Sequence, residues 1–141
     1  MIVQIVPRDY IAPAWPFVLP WLAKAMAAPW CKQTIDDLRG LLDRDAQQLW
    51  AVSRETKCIG AFTTGVYDRY GERVIAVEAL GGEDLASWGG AAVQSVDTFG
   101  RLNRCARIVG AGRAGNRWFR KFGFKTWPGD DAPLFLSREI L

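Results

Sequence analysis

The sequence contains no histidine, which removes the side chain that most often serves as a general base and as a metal ligand. Its three cysteines, Cys31, Cys58 and Cys105, are an odd number, and no two of them form a Cys-x-x-Cys motif. Neither a disulfide framework nor a zinc site is expected from that pattern. We therefore expect no metal, and we interpret the cysteines as ordinary apolar packing residues.

Long apolar runs are also lacking. No segment approaches the roughly 20 apolar residues that a membrane-spanning helix needs. The N-terminal residues lack the charged region and the cleavage site of a signal peptide. We therefore expect a protein of the cytoplasm, or of a particle assembled there, with no membrane partner. The length of 141 residues, half of them hydrophobic, predicts a single globular domain over residues 1–141.

Acidic residues are absent from residues 101–125, which hold eight of the 18 positive charges; we call this segment the basic block. The rest of the chain carries ten positive and fifteen negative charges, a balance of −5. Such a block can attract nucleic acid or an acidic protein surface. It can equally be a solvated helix face held by ion pairs within the chain, and the sequence leaves both open. The expected partner contacts in this block are Arg113, Arg117, Arg120 and Lys121.

Hydrophobic periodicity and turn residues predict alternating strands and helices. Thr34 is expected to cap a helix that ends near Asp43, and residues 85–102 form the longest predicted helix. Gly81 and Gly82 are expected to break the fourth strand, which covers residues 73–80. The predicted order is β-α-α-β-β-β-α-β-α-β. That order is typical of an α/β (α+β) fold with a mixed, mostly antiparallel sheet flanked by helices.

Residues 11–30 combine four prolines with three tryptophans. Because Pro20 should bend or break a helix begun before it, we expect an irregular apolar segment followed by a helix over residues 19–27. The tryptophans have two interpretations: they cover the domain's own core, or they present an apolar anchor surface to another protein. Trp15 and Trp21 are the expected partner contacts on the second interpretation.

Residues 112–125 follow a short apolar run and read Gly-Arg-Ala-Gly-Asn-Arg-Trp-Phe-Arg-Lys-Phe-Gly-Phe-Lys. They predict a helix over about residues 114–122, closed by Gly123 and Phe124. This sequence resembles the C-terminal signature of GNAT acyltransferases, and it is most similar to that of the small GNAT-like proteins of tailed bacteriophages. The resemblance implies the GNAT fold over the chain. It also implies a phage-encoded accessory or virion-associated protein, located in the host cytoplasm or the phage particle.

The resemblance also implies where acetyl-CoA would bind. GNAT enzymes hold its pyrophosphate on a loop reading Gln/Arg-x-x-Gly-x-Gly/Ala, between the fourth strand and the long helix. Here the loop begins Leu80-Gly81-Gly82, followed by Glu83 and Asp84, with no basic residue. Two carboxylates repel a pyrophosphate, although backbone amides at Leu80, Gly81 and Gly82 remain candidates for binding it. We therefore expect no cofactor, or acetyl-CoA if the protein is an active enzyme.

Two positions carry the expected chemistry. The tyrosine that GNAT enzymes use as general acid would fall four residues before Gly123, where this chain has Phe119. A phenyl ring cannot reprotonate a thiolate, so Phe119→Tyr is expected to raise any turnover. Glu78 stands where a catalytic glutamate is often found. We expect it to be buried, either as a base with a raised pKa or as a structural ion-pair partner.

The expected function is that of an accessory protein that acts by binding another protein and is degenerate as an acetyltransferase. The alternative is an active N-acetyltransferase that uses acetyl-CoA. A weaker alternative is a nucleic-acid-binding module that uses the basic block, since no recognised binding motif accompanies the charge.

Overall fold

The computed structural model describes residues 1–27, 31–110, 117–127 and 135–140. Its helices are α1 (Ile11–Met26), α2 (Ile35–Asp43), α3 (Leu85–Leu102) and α4 (Arg117–Lys121), and a short 3-10 turn, Arg8–Tyr10, leads into α1. Its strands are β1 (Ile2–Val6), β2 (Gln48–Arg54), β3 (Lys57–Arg69), β4 (Glu72–Gly82), β5 (Arg107–Gly110), β6 (Lys125–Trp127) and β7 (Phe135–Glu139).

The described strands form one hydrogen-bonded sheet in the order β1-β2-β3-β4-β5-β7-β6. β4 and β5 pair in parallel, whereas β1 with β2, β2 with β3, β5 with β7 and β6 with β7 are antiparallel. The predicted fold class, a mixed and mostly antiparallel sheet with helices, is confirmed. The strand β6 adds one element to the predicted order, between α4 and the last strand.

The chain forms two compact units. The first comprises Met1–Gly65 and Ala79–Trp88, and its core includes Val18 and Leu22 of α1, Leu38 and Leu42 of α2, and Leu49 of β2. In the second unit, Val66–Glu78 and Gly89–Leu141, β4 pairs with β5 from Val74↔Arg107 to Val77↔Gly110. The single domain over residues 1–141 stays a prediction.

The helix α1 corrects the prediction of an irregular segment before residue 19, because it runs unbroken from Ile11 to Met26 with Pro16 and Pro20 inside it. Pro13, Pro16 and Pro20 are spaced by three and four residues, so they lie on one face, and all three are exposed. A proline inside a helix removes one hydrogen bond and leaves a carbonyl unpaired. On an exposed face water satisfies those carbonyls, and the opposite face buries Ile11, Val18 and Leu22.

The helix α2 begins as its sequence predicts. The Thr34 hydroxyl accepts a hydrogen bond from the amide of Asp37 at 3.0 Å, and the amide of Thr34 donates to the Asp37 carboxylate at 3.1 Å. This reciprocal capping box stabilises the first turn, and the hydrogen bond from the Thr34 amide holds the pKa of Asp37 below its usual value. Among the described residues, no helix combines the length and apolarity needed to cross a membrane.

Candidate cofactor loop and catalytic residues

Two glycines at the end of β4, just before the turn into α3, are closely covered by other residues of the first unit; we call residues 80–84 the cofactor loop. The prediction that Gly81 and Gly82 break β4 is wrong, because the strand runs through both of them. A Cβ atom on Gly81 would collide with the backbone carbonyl of Trp21. A Cβ atom on Gly82 would lie 2.8 Å from the Cα of Gly60 and 2.9 Å from the Trp88 ring. Both glycines are therefore required by packing within the chain.

The two acids of the loop are neutralised by cations that the sequence places elsewhere. Arg54 donates to the Asp84 carboxylate, and the Lys57 ammonium lies 3.3 Å from the Glu83 carboxylate. Both cations flank the turn between β2 and β3. The hydrogen bond from Arg54 holds the pKa of Asp84 below its usual value. Sequence reasoning missed this pairing, because Arg54 and Lys57 are about 30 residues from the loop and nothing local links them to it.

Trp88, in the first turn of α3, closes the loop from the other side. Its indole is fully buried, stacks on Phe62 with ring centroids 6.3 Å apart, and donates to the carbonyl of Glu83 at 2.8 Å. The amide of Glu83 in turn donates to the carbonyl of Ile59 at 2.9 Å.

The Glu83 amide and the carboxylates of Glu83 and Asp84 thus bind other groups of the chain, whereas a pyrophosphate site needs free amides and positive charge. Gly81 and Gly82 are covered by Trp21 and Trp88, and the acids Glu83 and Asp84 sit at the start of α3. These residues do not fit an open cradle for the pyrophosphate of acetyl-CoA.

Glu78 lies on β4 in the second unit, and it is exposed, so the prediction that it is buried is wrong. Protein atoms nevertheless crowd its carboxyl group, and this partial desolvation raises the pKa of Glu78. The charge of Arg69 and a hydrogen bond from Tyr67 act in the opposite direction without cancelling the rise. The raised pKa of Glu78 supports its interpretation as a base, and the nearby charge of Arg69 supports its interpretation as an ion-pair partner.

The raised pKa of Glu78 predicts how stability depends on pH. A carboxyl group whose pKa is higher in the folded protein favours folding when protonated, and this contribution is lost as the pH rises through the folded pKa. Glu78→Gln should therefore remove a loss of stability that the wild type shows as the pH rises above the ordinary glutamate pKa of about 4.3. The difference should stay below about 1 kcal/mol because solvent screens an exposed group. Thermal melts of both proteins below and above that pH measure it.

Glu55→Gln is the matched control for that experiment, because Glu55 is exposed in the turn between β2 and β3. Its melts show the effect of removing a carboxylate charge at an exposed turn, against which the Glu78→Gln difference is judged. Parallel melting curves for wild type and Glu78→Gln from pH 4 to pH 7 would contradict a raised pKa at Glu78.

Phe119 is a core residue of the second unit and is 5% exposed. Its ring packs against Phe124 with centroids 5.1 Å apart, and its Cζ would lie 2.6 Å from a Cβ atom on Gly110. The para position of the ring thus abuts β5. The expectation that Phe119→Tyr raises turnover does not fit this packing, because a hydroxyl at Cζ would point into the strand.

The tryptophans named as partner contacts pack inward, in the first unit. Trp15 and Trp21 are half-buried against the core residues of α1, α2 and β2. The guanidinium of Arg39 lies 5.0 Å from the Trp15 ring centroid, and the Trp21 indole donates to the carbonyl of Cys58 at 3.4 Å. This arrangement matches the first interpretation, in which they cover the core, and a partner contact through them stays a prediction.

Two arginines of the basic block form ion pairs within the chain. Arg107 is 20% exposed at its side chain, lies 2.7 Å from the Glu72 carboxylate and 3.4 Å from that of Glu139, and stacks over Trp127. Arg101 pairs with Asp97 at 2.8 Å. These two arginines are held by ion pairs within the chain, as one of the two interpretations of the basic block expects.

The residues of the block named as partner contacts lie around α4. Arg120 and Lys121 are exposed in that helix, and Arg117 is its first residue. Arg113 lies outside the described residues. Contact of these side chains with a partner stays a prediction.

No protein-family profile and no curated protein matches this sequence. Solved structures do match. Aminoglycoside 6'-acetyltransferase type Ii has a TM-score of 0.72 and 11% identity, over 100% of this chain and 98% of that one. GCN5 from Tetrahymena has a TM-score of 0.69 and 13% identity, over 100% and 97%. The chain has the fold of the GNAT acetyltransferases.

A further GNAT-fold structure contains the toxin AtaT in a complex with AtaR and DNA. It matches with a TM-score of 0.65 and 11% identity, over 99% of this chain and 95% of that one. At such identities the likeness concerns the fold alone. The closer resemblance to tailed-phage proteins stays a prediction.

Proposed function

We propose that this protein is a GNAT-fold accessory protein that acts by binding another protein and is degenerate as an acetyltransferase. The cofactor loop carries this proposal. Its glycines are covered by Trp21 and Trp88, and its acids Glu83 and Asp84 hold Lys57 and Arg54 in ion pairs. A pyrophosphate would have to displace these contacts and lie beside two carboxylates, which opposes tight binding.

Protein binding is supported by the example of AtaT, a GNAT-fold protein that binds a protein partner. AtaT is seen bound to the C-terminus of its antitoxin AtaR, in a structure with 13% identity and a TM-score of 0.63 to this chain. Here Lys121, which is exposed in α4 beside the exposed Arg120, would meet an acidic partner surface. The sequence of residues 112–125, which resembles that of tailed-phage proteins, supports a phage-encoded role. The protein would then act in the host cytoplasm or in the phage particle, where other virion proteins are the partners.

An active acetyl-CoA-dependent N-acetyltransferase is the second candidate, and Glu78 is the observation that favours it. A crowded carboxyl group with a raised pKa is a stronger base than an ordinary carboxylate, which suits it to take a proton from an ammonium substrate. Binding of nucleic acid by the basic block is the weaker candidate. Pairing of Arg101 and Arg107 with acids of the chain reduces the charge available for it.

The decisive measurement is the melting temperature with acetyl-CoA. A ligand present at 100 times its dissociation constant stabilises a protein by about 2.7 kcal/mol, which moves the melting temperature by several degrees. We expect no shift with millimolar acetyl-CoA, and none with free pantetheine. The aminoglycoside 6'-acetyltransferase type Ii is the positive control under the same conditions.

Two features of the cofactor loop oppose binding of acetyl-CoA: the covered glycines and the acidic side chains. The variant Asp84→Asn removes one of the acids and leaves the glycines covered. Asparagine tolerates the left-handed backbone of Asp84, where φ is 56°. If the covered glycines exclude the cofactor, Asp84→Asn should also show no shift. A shift with acetyl-CoA and none with pantetheine, in the wild type, would reverse the proposal and favour the enzyme.

A further inference from the structure

The exposed face of α1 carries a stripe of uncharged side chains with one charge at each end. Pro13, Pro16, Phe17 and Pro20 are all exposed, and Phe17 leaves 65% of its surface accessible. Asp9, in the turn that leads into α1, and Lys24, in its last turns, are exposed as well. At 100° per residue, Pro13, Pro16, Phe17, Pro20 and Lys24 lie within about 50° of one line along α1, and Asp9 lies in the 3-10 turn just before the helix. We call these six residues the α1 stripe.

The order of residues in the α1 stripe is symmetric about the point between Pro16 and Phe17. Pro16 mirrors Phe17, Pro13 mirrors Pro20, and Asp9 mirrors Lys24. A two-fold axis at that point, perpendicular to the helix, would place a second α1 antiparallel to the first. Each proline would then face an apolar residue of the second copy, and each Asp9 would face a Lys24.

From this pattern we propose that the α1 stripe is the interface of a homodimer, in which two copies pack their α1 helices antiparallel across a two-fold axis. This goes beyond the proposed binding of another protein, because the occupant of the stripe is a second copy of this chain. A two-fold interface has to be complementary to itself, and the α1 stripe meets that condition in both its apolar and its charged positions.

The entropy cost, the apolar surface and the charges of the α1 stripe favour a second copy of the chain as the partner. Proline loses almost no side-chain entropy on burial, and Phe17 supplies a large apolar surface at the centre, where residues dominate binding. The stripe spans 15 residue steps, about 22 Å. A crossing of about 20° keeps the helix ends close enough for a lysine to reach a carboxylate. Within the described residues, neither Asp9 nor Lys24 takes part in an ion pair of its own chain.

Charge reversal tests both the association and its geometry. A single helix pair is at the small end of specific interfaces, so sedimentation should show a concentration-dependent dimer over roughly 1–300 µM. Asp9→Lys gives each stripe two positive ends, and Lys24→Asp gives each two negative ends. Each variant alone should weaken dimerisation at least about tenfold, since like charges then face each other twice.

An equimolar mixture of the two variants should dimerise again, because a stripe with two positive ends then faces a stripe with two negative ends. The double variant Asp9→Lys with Lys24→Asp should likewise dimerise as the wild type does, since it exchanges the two charges and keeps each pair opposite in sign. Glu55→Lys, a charge reversal of an exposed residue outside the stripe, should leave association unchanged. Thermal melts confirm that each variant is folded.

Three results would overturn the proposal. The first is a wild-type protein that stays monomeric across the whole concentration range. The second is a mixture of the two variants that fails to associate while the wild type dimerises. The third is a dimer that survives both single reversals and Phe17→Ser. The acetyl-CoA measurement is independent of all three, so failure here leaves the proposed function standing.

Discussion

Gly81→Ala is expected to destabilise the protein by about 1–3 kcal/mol or more, the cost of adding a methyl group where none fits. The added Cβ would collide with the backbone carbonyl of Trp21, in the middle of α1. A side chain could rotate away, but a helical backbone can give way only if α1 shifts on its core. The expected fall in melting temperature is therefore several degrees, measured by calorimetry without any ligand present.

Gly90→Ala is the matched control, because it adds the same methyl group inside α3. The nearest atom to a Cβ at Gly90 is the Cε1 of Phe122 at 3.5 Å, an ordinary contact. Replacing a glycine in a helix by alanine gains up to about 1 kcal/mol. Gly90→Ala should thus hold or raise the melting temperature while Gly81→Ala lowers it.

This comparison separates two reasons for a glycine in the cofactor loop. If Gly81 is kept for packing against Trp21, its substitution costs stability whether or not a ligand is present. If Gly81 is kept so that a backbone amide can approach a phosphate, its substitution should leave the free protein unharmed and affect only binding. Equal melting temperatures for wild type and Gly81→Ala would contradict the packing account of the loop.

Local sequence signals predicted the fold well where one residue sets the local structure. Thr34 with Asp37 fixes the start of α2, and the long helix occupies the predicted residues 85–102. Gly123 has a φ of 86°, as expected for the glycine that follows α4 and ends the helix before β6 begins. Capping and left-handed backbone depend on neighbours in the sequence, so they can be read from it.

The errors occur where the outcome depends on which face is buried. Pro16 and Pro20 predict a break, but both lie on the exposed face of α1, where water replaces the lost hydrogen bonds. Gly81 and Gly82 predict a strand end at residue 80, but β4 continues to Gly82, where Trp21 and Trp88 pack closely on the two glycines. The spacing of the prolines by three and four residues was the available signal for α1. No comparable signal pointed to the contacts of Gly81.

The candidate site shows the same division. The acids Glu83 and Asp84 were evident in the loop, but their partners Lys57 and Arg54 come from a distant turn. Glu78 was correctly placed on β4, while its exposure and the opposing influence of Arg69 depend on packing around it. Sequence alone therefore identifies the residue types in a site better than it identifies their charge balance.

Phe119→Tyr is expected to destabilise the protein by about 1–3 kcal/mol and to leave acetyl transfer no faster. The ring is 5% exposed and its Cζ abuts Gly110 of β5, so a para hydroxyl must displace the strand or the ring. A buried hydroxyl that is left without a hydrogen bond costs about 1–3 kcal/mol more. Calorimetry measures the first effect, and an assay of acetyl-CoA with a primary amine measures the second.

Phe17→Tyr is the control for the hydroxyl itself, because the Phe17 ring is 65% exposed and a para oxygen there reaches water. Compared at low concentration, it should melt with the wild type while Phe119→Tyr melts several degrees lower. A general acid contributes about 10²–10⁴-fold to a rate. A Phe119→Tyr protein that keeps its stability and gains turnover on that scale would show that position 119 faces a working active site. The packing of Phe119 on Gly110 predicts instead that the ring has become part of the core, and that restoring one tyrosine cannot restore an enzyme.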